Sequence, residues 1–263
     1  MSYETILTEL VDRVLLITLN RPERLNAWTK QMSGELQRAI TEGNEDQEVE
    51  AFVFTGAGRG FCAGADIKDV FQKESENPKE RREGASGGWV EMIRQSKPIV
   101  AAVNGAAIGV GLTQILPMDF IVASTAAKFS CRFVKMGLVP ELASSHFIVA
   151  RCGFGQASEL MLSGRTIDAT EAGTLGLVDR VVAPEALISE AMNVARSMGE
   201  NPQSALAMVK ELITQNMVET NLELVQQREL AALSKCYVSP EHKEAIQAFL
   251  EKREPDFKGI GAK

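Results

Sequence analysis

AFVFTGAGRGFCAGADIKD, the sequence of residues 51–69, joins an apolar run to a loop of small residues. The run Ala51–Thr55 predicts a buried strand, and glycines follow it at positions 56, 58, 60 and 64. Glycine allows close backbone approach at a cost in conformational entropy that a simple connection does not justify. The pattern therefore predicts a loop that binds a ligand through its peptide N–H groups.

The glycine spacing argues against the common nucleotide-binding loops. A dinucleotide-binding loop needs G-x-G-x-x-G at the start of a helix, whereas this loop continues from Gly60 into Phe61-Cys62-Ala63. A P-loop ends in Gly-Lys-Ser/Thr, whereas this loop ends in Gly64-Ala65-Asp66. We therefore do not expect the loop to bind a dinucleotide, ATP or GTP.

Length and composition are those of a globular protein. The chain has 263 residues, 45% of them hydrophobic, which is enough for one large domain or a core with an appendage. With 28 basic and 35 acidic residues, the net charge is −7, and the basic residues are scattered along the sequence. Both features argue against a nucleic-acid partner. The cysteine and histidine spacing contains no local zinc motif. With no signal-peptide pattern and no long apolar run, we expect a cytoplasmic protein without a membrane span.

A second strand and small-residue loop repeat the first arrangement. Ile99–Val103 predicts a buried strand, and residues 104–111 after it read NGAAIGVG. Near the N-terminus, Ile6–Leu10 and Val14–Leu19 predict an antiparallel hairpin, and Thr29 predicts the start of a helix.

The other elements follow from the same patterns. Residues 73–88 are charged and predict a mobile surface segment. Helical patterns occupy residues 184–198, 202–215, 222–233 and 240–252, three of them with a proline at or near the start.

Several motifs, in order along the chain, resemble the crotonase, or enoyl-CoA hydratase/isomerase, superfamily. They are FCAGADIKD from residue 61, NGAAIGVGLT from residue 104 and SGRTIDATEAGTLGLVDRVV from residue 163. The resemblance implies an α/β fold: a crotonase-like spiral of ββα units with a helical C-terminal region. It implies that residues 1–200 form the core with the acyl-CoA site and that residues 201–263 serve oligomerisation and site closure.

The resemblance also implies the partners of this chain. The substrate is an acyl-CoA thioester, in which coenzyme A is part of the substrate, and no separate cofactor or metal is expected. The protein is expected to self-associate as a trimer or hexamer.

The resemblance gives the two small-residue loops a chemical role. Removing a proton next to a thioester carbonyl puts negative charge on its oxygen, which two backbone N–H groups can stabilise. By motif match, the donors are the amides of Ala65 and Val110. Many relatives have glycine at the second position, so Val110 is a departure, although a backbone donor tolerates a side-chain change if the dihedral angles permit it.

Acidic residues decide the reaction. Family hydratases hold water with two glutamates, and the matching positions here are Thr113 and Phe133, neither of which can transfer a proton as a glutamate does. A simple enoyl-CoA hydratase is therefore disfavoured. Glu141 lies in FVKMGLVPELASSHF, which resembles the KLGL-x-PEG segment of Δ3-Δ2-enoyl-CoA isomerases, where one glutamate moves a proton between C2 and C4. Leu142 stands where the family commonly has glycine.

Glu141 also fits a purely structural interpretation. Pro140-Glu141 has the pattern of a helix N-terminus, where an acidic residue interacts favourably with the helix dipole. If Glu141 is catalytic, we expect an apolar pocket to offset that dipole and to leave a base poised for proton transfer.

Other motif matches imply contacts with coenzyme A. Arg24 matches a basic residue near the phosphates. Ala63, Asp66 and Ile67 match residues that line the adenine and pantetheine path, largely through backbone atoms. Phe249 and Lys252 match residues that reach the nucleotide, often from a neighbouring subunit. The pattern alone also fits a solvated Arg24 and an amphipathic terminal helix.

Three functions stay open on the sequence. The first is a Δ3-Δ2-enoyl-CoA isomerase that uses Glu141. The second is a related acyl-CoA isomerase of aromatic, phenylacetate-type degradation, which GAGRGFCAG also resembles, although that relative generally has aspartate at the position of Glu141. The third is a non-catalytic acyl-CoA-binding or scaffold protein.

Overall fold

The computed structural model describes residues 3–67, 88–258 and 260. The chain divides into two compact units, Met1–Arg196 and Ser197–Lys263. The charged segment at residues 73–88 lies outside the described residues, except for Gly88. The roles predicted for residues 1–200 and 201–263 stay predictions.

The described strands all belong to the first unit. They are β1 Ile6–Val11, β2 Val14–Leu19, β3 Ala51–Gly56, β4 Gly60–Cys62, β5 Ile99–Val103, β6 Ala106–Ile108, β7 Phe120–Ser124, β8 Lys128–Ser130, β9 Ile167–Asp168 and β10 Arg180–Val182. The described helices are α1 Lys30–Glu45, α2 Trp89–Gln95, α3 Val110–Thr113, α4 Ser144–Cys152, α5 Phe154–Ser163, α6 Ala169–Thr174, α7 Leu187–Gly199, α8 Gln203–Asn216, α9 Leu222–Tyr237 and α10 Pro240–Glu251. Short 3-10 turns span Pro22–Arg24, Arg132–Met136 and Pro184–Ala186.

The strands form two sheets. A six-stranded sheet has the order β1-β2-β3-β5-β7-β10, and a four-stranded sheet has the order β4-β6-β8-β9. Neighbours are parallel except for β1–β2 and β8–β9. The consecutive pairs β3–β4, β5–β6 and β7–β8 each give one strand to the large sheet and the next to the small sheet. This repetition confirms the predicted α/β spiral.

The central strands of the large sheet, β3, β5 and β7, are buried on both faces, whereas the edge strand β1 is largely exposed. Alternate residues of β3 join different apolar clusters: Phe52 and Phe54 belong to one cluster, and Ala51 and Val53 belong to the other. This two-residue period follows from strand geometry, and burial of both faces is typical of parallel sheets. Leu187 and further residues of α7 cover the second cluster.

Local sequence patterns predicted several elements correctly. The β1–β2 hairpin is antiparallel as predicted, and the Thr29 hydroxyl caps α1 by accepting a hydrogen bond from the Met32 N–H at 3.1 Å. Strand β8 ends at Ser130, and Phe133 lies in the 3-10 turn that follows it. In the described part of the chain, no helix has the length and apolar character needed to cross a bilayer.

The second unit consists of helices in its described part. Asn221 caps α9, and Ser239 caps α10, which begins with Pro240. Helix α9 carries exposed apolar side chains at Leu222, Leu230, Leu233 and Tyr237. At 100° per residue these four positions fall on one face of the helix.

Candidate active site

Three parallel neighbouring strands end at the same edge of the small sheet. These strands are β4, β6 and β8, with β6 in the middle. The chain continues from β4 to Ala65, from β6 to Val110, and from β8 through Phe133 to Glu141. Ligands of parallel α/β sheets bind beyond the carboxyl ends of the strands, and the catalytic residues predicted from the sequence all follow such ends.

Two glycines allow the first two loops to touch. Gly64 has φ of +108°, and a methyl group added to it would lie 3.3 Å from the carbonyl oxygen of Ile108. A methyl group on Gly111 would lie 2.2 Å from the carbonyl oxygen of Cys62. A side chain at either position would therefore push apart the segments that carry Ala65 and Val110.

The predicted oxyanion donors are left unused by the fold. Trp28 pairs with Ala65 in a parallel bridge, in which the Trp28 N–H donates to the Gly64 carbonyl at 2.8 Å and the Asp66 N–H donates to the Trp28 carbonyl at 2.9 Å. Val110 is the first residue of α3, where an N–H has no acceptor within the helix. Within residues 3–67 and 88–258, neither the Ala65 N–H nor the Val110 N–H donates a hydrogen bond. Both N–H groups are therefore available as hydrogen-bond donors, and their predicted role as oxyanion donors stays a prediction.

The helix after the second donor is short. It spans only four residues, Val110–Thr113, so few aligned peptide dipoles add to the field at its start. Gly109 positions it with φ of 55° and ψ of −122°, and the Gly109 N–H donates to the Ser130 carbonyl at 2.9 Å.

The two positions that match the hydratase glutamates carry no acid. Thr113 is fully buried, and its hydroxyl oxygen has no hydrogen-bond partner among the described residues. Phe133 is half-buried. Its ring comes within 4.0 Å of the point that a Gly109 Cβ would occupy. An apolar ring therefore lies next to the loop that carries the Val110 N–H.

Glu141 lies outside the helix in which the sequence pattern predicted it. Helix α4 begins at Ser144, and the two residues before it, Leu142 and Ala143, both have φ of 54°. The Ser144 N–H donates to the Glu141 carbonyl oxygen at 3.0 Å. These left-handed residues turn the chain between Glu141 and the helix, so the expected first-turn position is wrong.

The surroundings of Glu141 also differ from expectation. Its side chain is exposed, whereas we expected an apolar pocket around the carboxylate. Leu142 packs against the main apolar cluster and keeps the left-handed conformation that glycine adopts most readily.

Four of the six residues predicted to contact coenzyme A belong to the first unit: Arg24, Ala63, Asp66 and Ile67. Arg24 is exposed at the end of a 3-10 turn, and Ile67 is 62% exposed. The Ala63 N–H donates to the Leu25 carbonyl at 3.0 Å. The Asp66 carboxylate pairs with Arg21 at 3.2 Å, so both its N–H and its side chain have partners within the protein.

The other two such residues belong to the second unit. Phe249 in α10 is 83% exposed, and Lys252 follows that helix in a left-handed conformation with φ of 56°. Their predicted contacts with a nucleotide stay predictions.

Asn26 and Trp28 support the loop that carries Ala65, and the sequence analysis did not predict this role for either residue. The Asn26 amide, fully buried, donates to the carbonyl oxygens of Ala57 at 2.9 Å and Gly60 at 2.8 Å, and its side-chain oxygen accepts from the Arg21 N–H at 2.8 Å. This fixes the turn at residues 21–26 against the glycine loop. The turn pattern offered a signal for Asn26, because asparagine tolerates left-handed φ, but nothing in the spacing pointed to Trp28.

Other conspicuous side chains have structural roles. Burial raises the pKa of the Cys62 thiol to about 11, so it is protonated at neutral pH and is a poor nucleophile. Asp119 pairs with Arg94 at 2.8 Å and accepts from the Ile99 N–H at 2.9 Å. Across the described ranges, no group of three His, Cys, Asp or Glu side chains could hold a metal ion.

Comparisons with known proteins find similar sequences and similar structures over nearly the whole chain. A family model described as enoyl-CoA hydratase/isomerase matches residues 9–260. A probable enoyl-CoA hydratase of Rhizobium meliloti is 36% identical over 98% of this chain and 99% of its own length. The 1,2-epoxyphenylacetyl-CoA isomerase of Escherichia coli is 32% identical over 97% of this chain and 99% of its own length. The crystal structure of an enoyl-CoA hydratase from Bacillus anthracis has a TM-score of 0.90, with 31% identity, and covers 97% of this chain and 100% of its own.

Proposed function

The chain belongs to the enoyl-CoA hydratase/isomerase family, and from that premise we propose that it converts 3-enoyl-CoA into 2-enoyl-CoA with Glu141 as its single base. The N–H groups of Ala65 and Val110 bind the thioester oxygen. Coenzyme A enters and leaves as part of the thioester, and no further cofactor takes part.

The reaction consists of two proton transfers. The Glu141 carboxylate removes a proton from C2 of the 3-enoyl group, and the electron pair of that C–H bond delocalises onto the thioester oxygen as a dienolate. The two N–H groups stabilise this oxygen, and the loss of one such donor typically costs about 3–4 kcal/mol of transition-state stabilisation. The Glu141 carboxylic acid then returns the proton to C4, which leaves the double bond between C2 and C3 and restores the carboxylate.

The observation that carries this proposal is the lack of proton-transfer groups at two positions that flank the Val110 donor. Thr113 is buried within α3, and the Phe133 ring lies beside the Gly109 turn. Water addition in the family needs a pair of acids to hold and activate water. A 1,3-proton shift needs only one base and no water, so the apolar Phe133 is compatible with isomerisation and unfavourable for hydration.

A related ring-opening isomerase is the second candidate. It is favoured by the E. coli relative, which covers nearly the whole chain and whose name is 1,2-epoxyphenylacetyl-CoA isomerase. Most of the named relatives are enoyl-CoA hydratases, and the residues at positions 113 and 133 argue against carrying that activity over to this chain. Binding of CoA thioesters without turnover would favour the third candidate, a binding or scaffold protein.

We also propose self-association as a trimer or hexamer. The apolar face of α9, formed by Leu222, Leu230, Leu233 and Tyr237, supports this proposal, because large exposed apolar patches mark interaction surfaces. The proposed contacts with coenzyme A are those of Arg24, Ala63, Asp66 and Ile67, and of Phe249 and Lys252 from a neighbouring subunit.

A conservative substitution of the base tests the proposal. Glu141→Gln removes the proton acceptor and keeps the size of the side chain, so we expect a loss of about 100- to 10,000-fold in the isomerisation rate. The matched control is Glu185→Gln, which changes another exposed glutamate, in the turn Pro184–Ala186. The assay follows the absorbance of 2-enoyl-CoA formed from 3-enoyl-CoA. Equal rates in Glu141→Gln and wild type would exclude Glu141 as the base.

A further inference from the structure

Contacts with Trp28 fix the direction in which the Ala65 N–H points. The Trp28 N–H donates to the Gly64 carbonyl oxygen at 2.8 Å, and this carbonyl belongs to the same peptide group as the Ala65 N–H. No peptide bond of the described residues is cis, and in a planar trans peptide the C=O and the N–H point in opposite directions. The Ala65 N–H therefore points away from Trp28.

Glycine makes this direction easy to lose. Gly64 has φ of +108°, and glycine restricts the adjoining peptide groups less than any other residue. Ala65 is only partly buried, and Ile67 is 62% exposed, so the core does not enclose the loop after Gly64. The direction of the Ala65 N–H thus depends on the contacts that join this loop to the segment of Trp28.

Arg21 joins these two segments through its side chain. One guanidinium nitrogen, Nη1, donates to the Ala27 carbonyl oxygen at 2.6 Å, and the other, Nη2, donates to the Asp66 carboxylate at 3.2 Å. Ala27 directly precedes Trp28, and Asp66 directly follows Ala65. The planar guanidinium holds its donors in a fixed fork, so a single side chain sets the spacing between the two segments.

The ion pair is shielded from solvent. The side chains of Arg21 and Asp66 are 18% and 14% exposed, and a partly buried pair is screened by salt less than a surface pair. Arg24, three residues later, is exposed. The guanidinium of Arg21 is therefore engaged within the protein, whereas that of Arg24 faces solvent.

We propose that Arg21 is a positioning residue: through Asp66 and Ala27 it keeps the Ala65 N–H aimed at the thioester oxygen. The inference rests on the proposed function, because it assumes that a thioester binds at Ala65. An oxyanion donor is effective when it is already in place before the negative charge develops. Arg21 supplies that restraint without touching the substrate.

The test uses butyryl-CoA with 13C at the thioester carbonyl carbon. Its saturated chain has no double bond to shift or to hydrate, so the bound ligand stays intact. Hydrogen bonds to the carbonyl oxygen weaken the C=O bond and lower its infrared stretching frequency, and the difference between labelled and unlabelled ligand isolates this band. Measured with all the ligand bound, the shift reports the donors and not the affinity.

Variants of both partners should change this shift. We expect the band of the wild-type complex to lie below that of free butyryl-CoA, and Arg21→Met to lose the larger part of the shift. Asp66→Ala removes the acceptor and should lose a comparable part, which keeps the test decisive if Arg21→Met does not fold. The double variant should lose no more than either single variant, because both break the same contact. With 3-enoyl-CoA, Arg21→Met should lower kcat about 10- to 100-fold with little change in KM.

Arg94 provides the matched control. Its guanidinium donates to the Pro117 carbonyl oxygen at 2.9 Å and to the Asp119 carboxylate at 2.8 Å, and the side chains of this pair are 11% and 14% exposed. The Asp119 carboxylate accepts from the N–H of Ile99, the first residue of β5, so the pair lies at the amino end of a strand whose carboxyl end leads to Val110. Arg94→Met should lower the melting temperature and keep the wild-type infrared shift.

The outcomes separate the inference from the function on which it rests. A wild-type shift in Arg21→Met and Asp66→Ala would refute the inference, and so would an equal loss of shift in Arg94→Met, since the cause would then be a general loosening of the fold. A raised KM with unchanged kcat in Arg21→Met would also refute it. A wild-type protein that shifts the band and does not isomerise 3-enoyl-CoA would refute the isomerase, while loss of the shift in Arg21→Met would still support the positioning role. A wild-type protein that binds no butyryl-CoA, or binds it without a shift, would refute both.

Discussion

The substitution Gly111→Ala has a clear expected effect on the loops that carry Ala65 and Val110. A methyl group on this residue would lie 2.2 Å from the carbonyl oxygen and 2.9 Å from the Cβ of Cys62, whereas ordinary contact begins at 3.4 Å. Both atoms belong to a buried strand end, so neither can rotate away as a flexible side chain would. Gly111→Ala must therefore move α3 away from β4 by roughly 1 Å, which would also move the Val110 N–H relative to the Ala65 N–H.

The expected magnitudes follow from this displacement. Overpacking of a rigid interior typically costs about 1–3 kcal/mol of stability, and a misplacement of about 1 Å in a catalytic group can cost about 100-fold in rate. The matched control is Gly34→Ala in α1, where a methyl group meets no atom within 4 Å. Alanine is favoured over glycine in a helix interior, so this control should gain about 0.5–1 kcal/mol.

Two assays measure the effect: urea unfolding gives the change in stability, and the initial rate of 2-enoyl-CoA formation gives the change in activity. We expect Gly111→Ala to be less stable and slower than wild type, and Gly34→Ala to keep the wild-type rate. If Gly111→Ala behaves like Gly34→Ala in both assays, the two loops are not held together by this contact, and the arrangement inferred for the two donors is wrong.

Three further changes test other parts of the structure. Ala143→Gly should raise the free energy of unfolding by about 0.5–1 kcal/mol in denaturant titrations, because glycine relieves the left-handed φ of 54° and this gain exceeds the added entropy of the unfolded chain; a loss of stability would contradict that conformation. Burial raises the pKa of Cys62 from 9.0 to about 11, so the folded chain keeps a proton that the unfolded chain loses. The free energy of unfolding should thus fall by up to about 2 kcal/mol between pH 9 and pH 11, and by less in Cys62→Ala, as unfolding at both pH values would measure. Leu230→Glu combined with Leu233→Glu should lower the molecular mass seen by light scattering, since it places charge on the apolar face of α9; an unchanged mass would exclude this face as the interface.

Local patterns predicted the parts of the fold that depend on neighbours in sequence. The run Ala51–Thr55 and the run Ile99–Val103 are apolar over the length of a strand, and both form central strands of the large sheet. Their glycine-rich continuations place Ala65 and Val110 beyond adjacent parallel strands. Strand periodicity and glycine conformations are local properties, so one sequence was sufficient for them.

Features that depend on distant partners could not be predicted in the same way. The pair Arg21–Asp66 joins residues 45 positions apart, and no local spacing indicates it. Leu142 and Ala143 are good helix formers, so the pattern predicted a helix that begins near Glu141. Both residues are left-handed in the structure, and Leu142 packs against the core. Tertiary packing overrides helix propensity at this point, and the position of the proposed base changes with it.

The mass of the product formed from a 2-enoyl-CoA and from a 3-enoyl-CoA tests the central claim most directly. With Thr113 and Phe133 in place of acids and Glu141 as the single base, we expect 3-enoyl-CoA to become 2-enoyl-CoA with no change in mass. Incubated alone, 2-enoyl-CoA should not gain the mass of water. Rapid conversion of 2-enoyl-CoA to a product heavier by one water molecule would contradict the claim and would make this protein a hydratase.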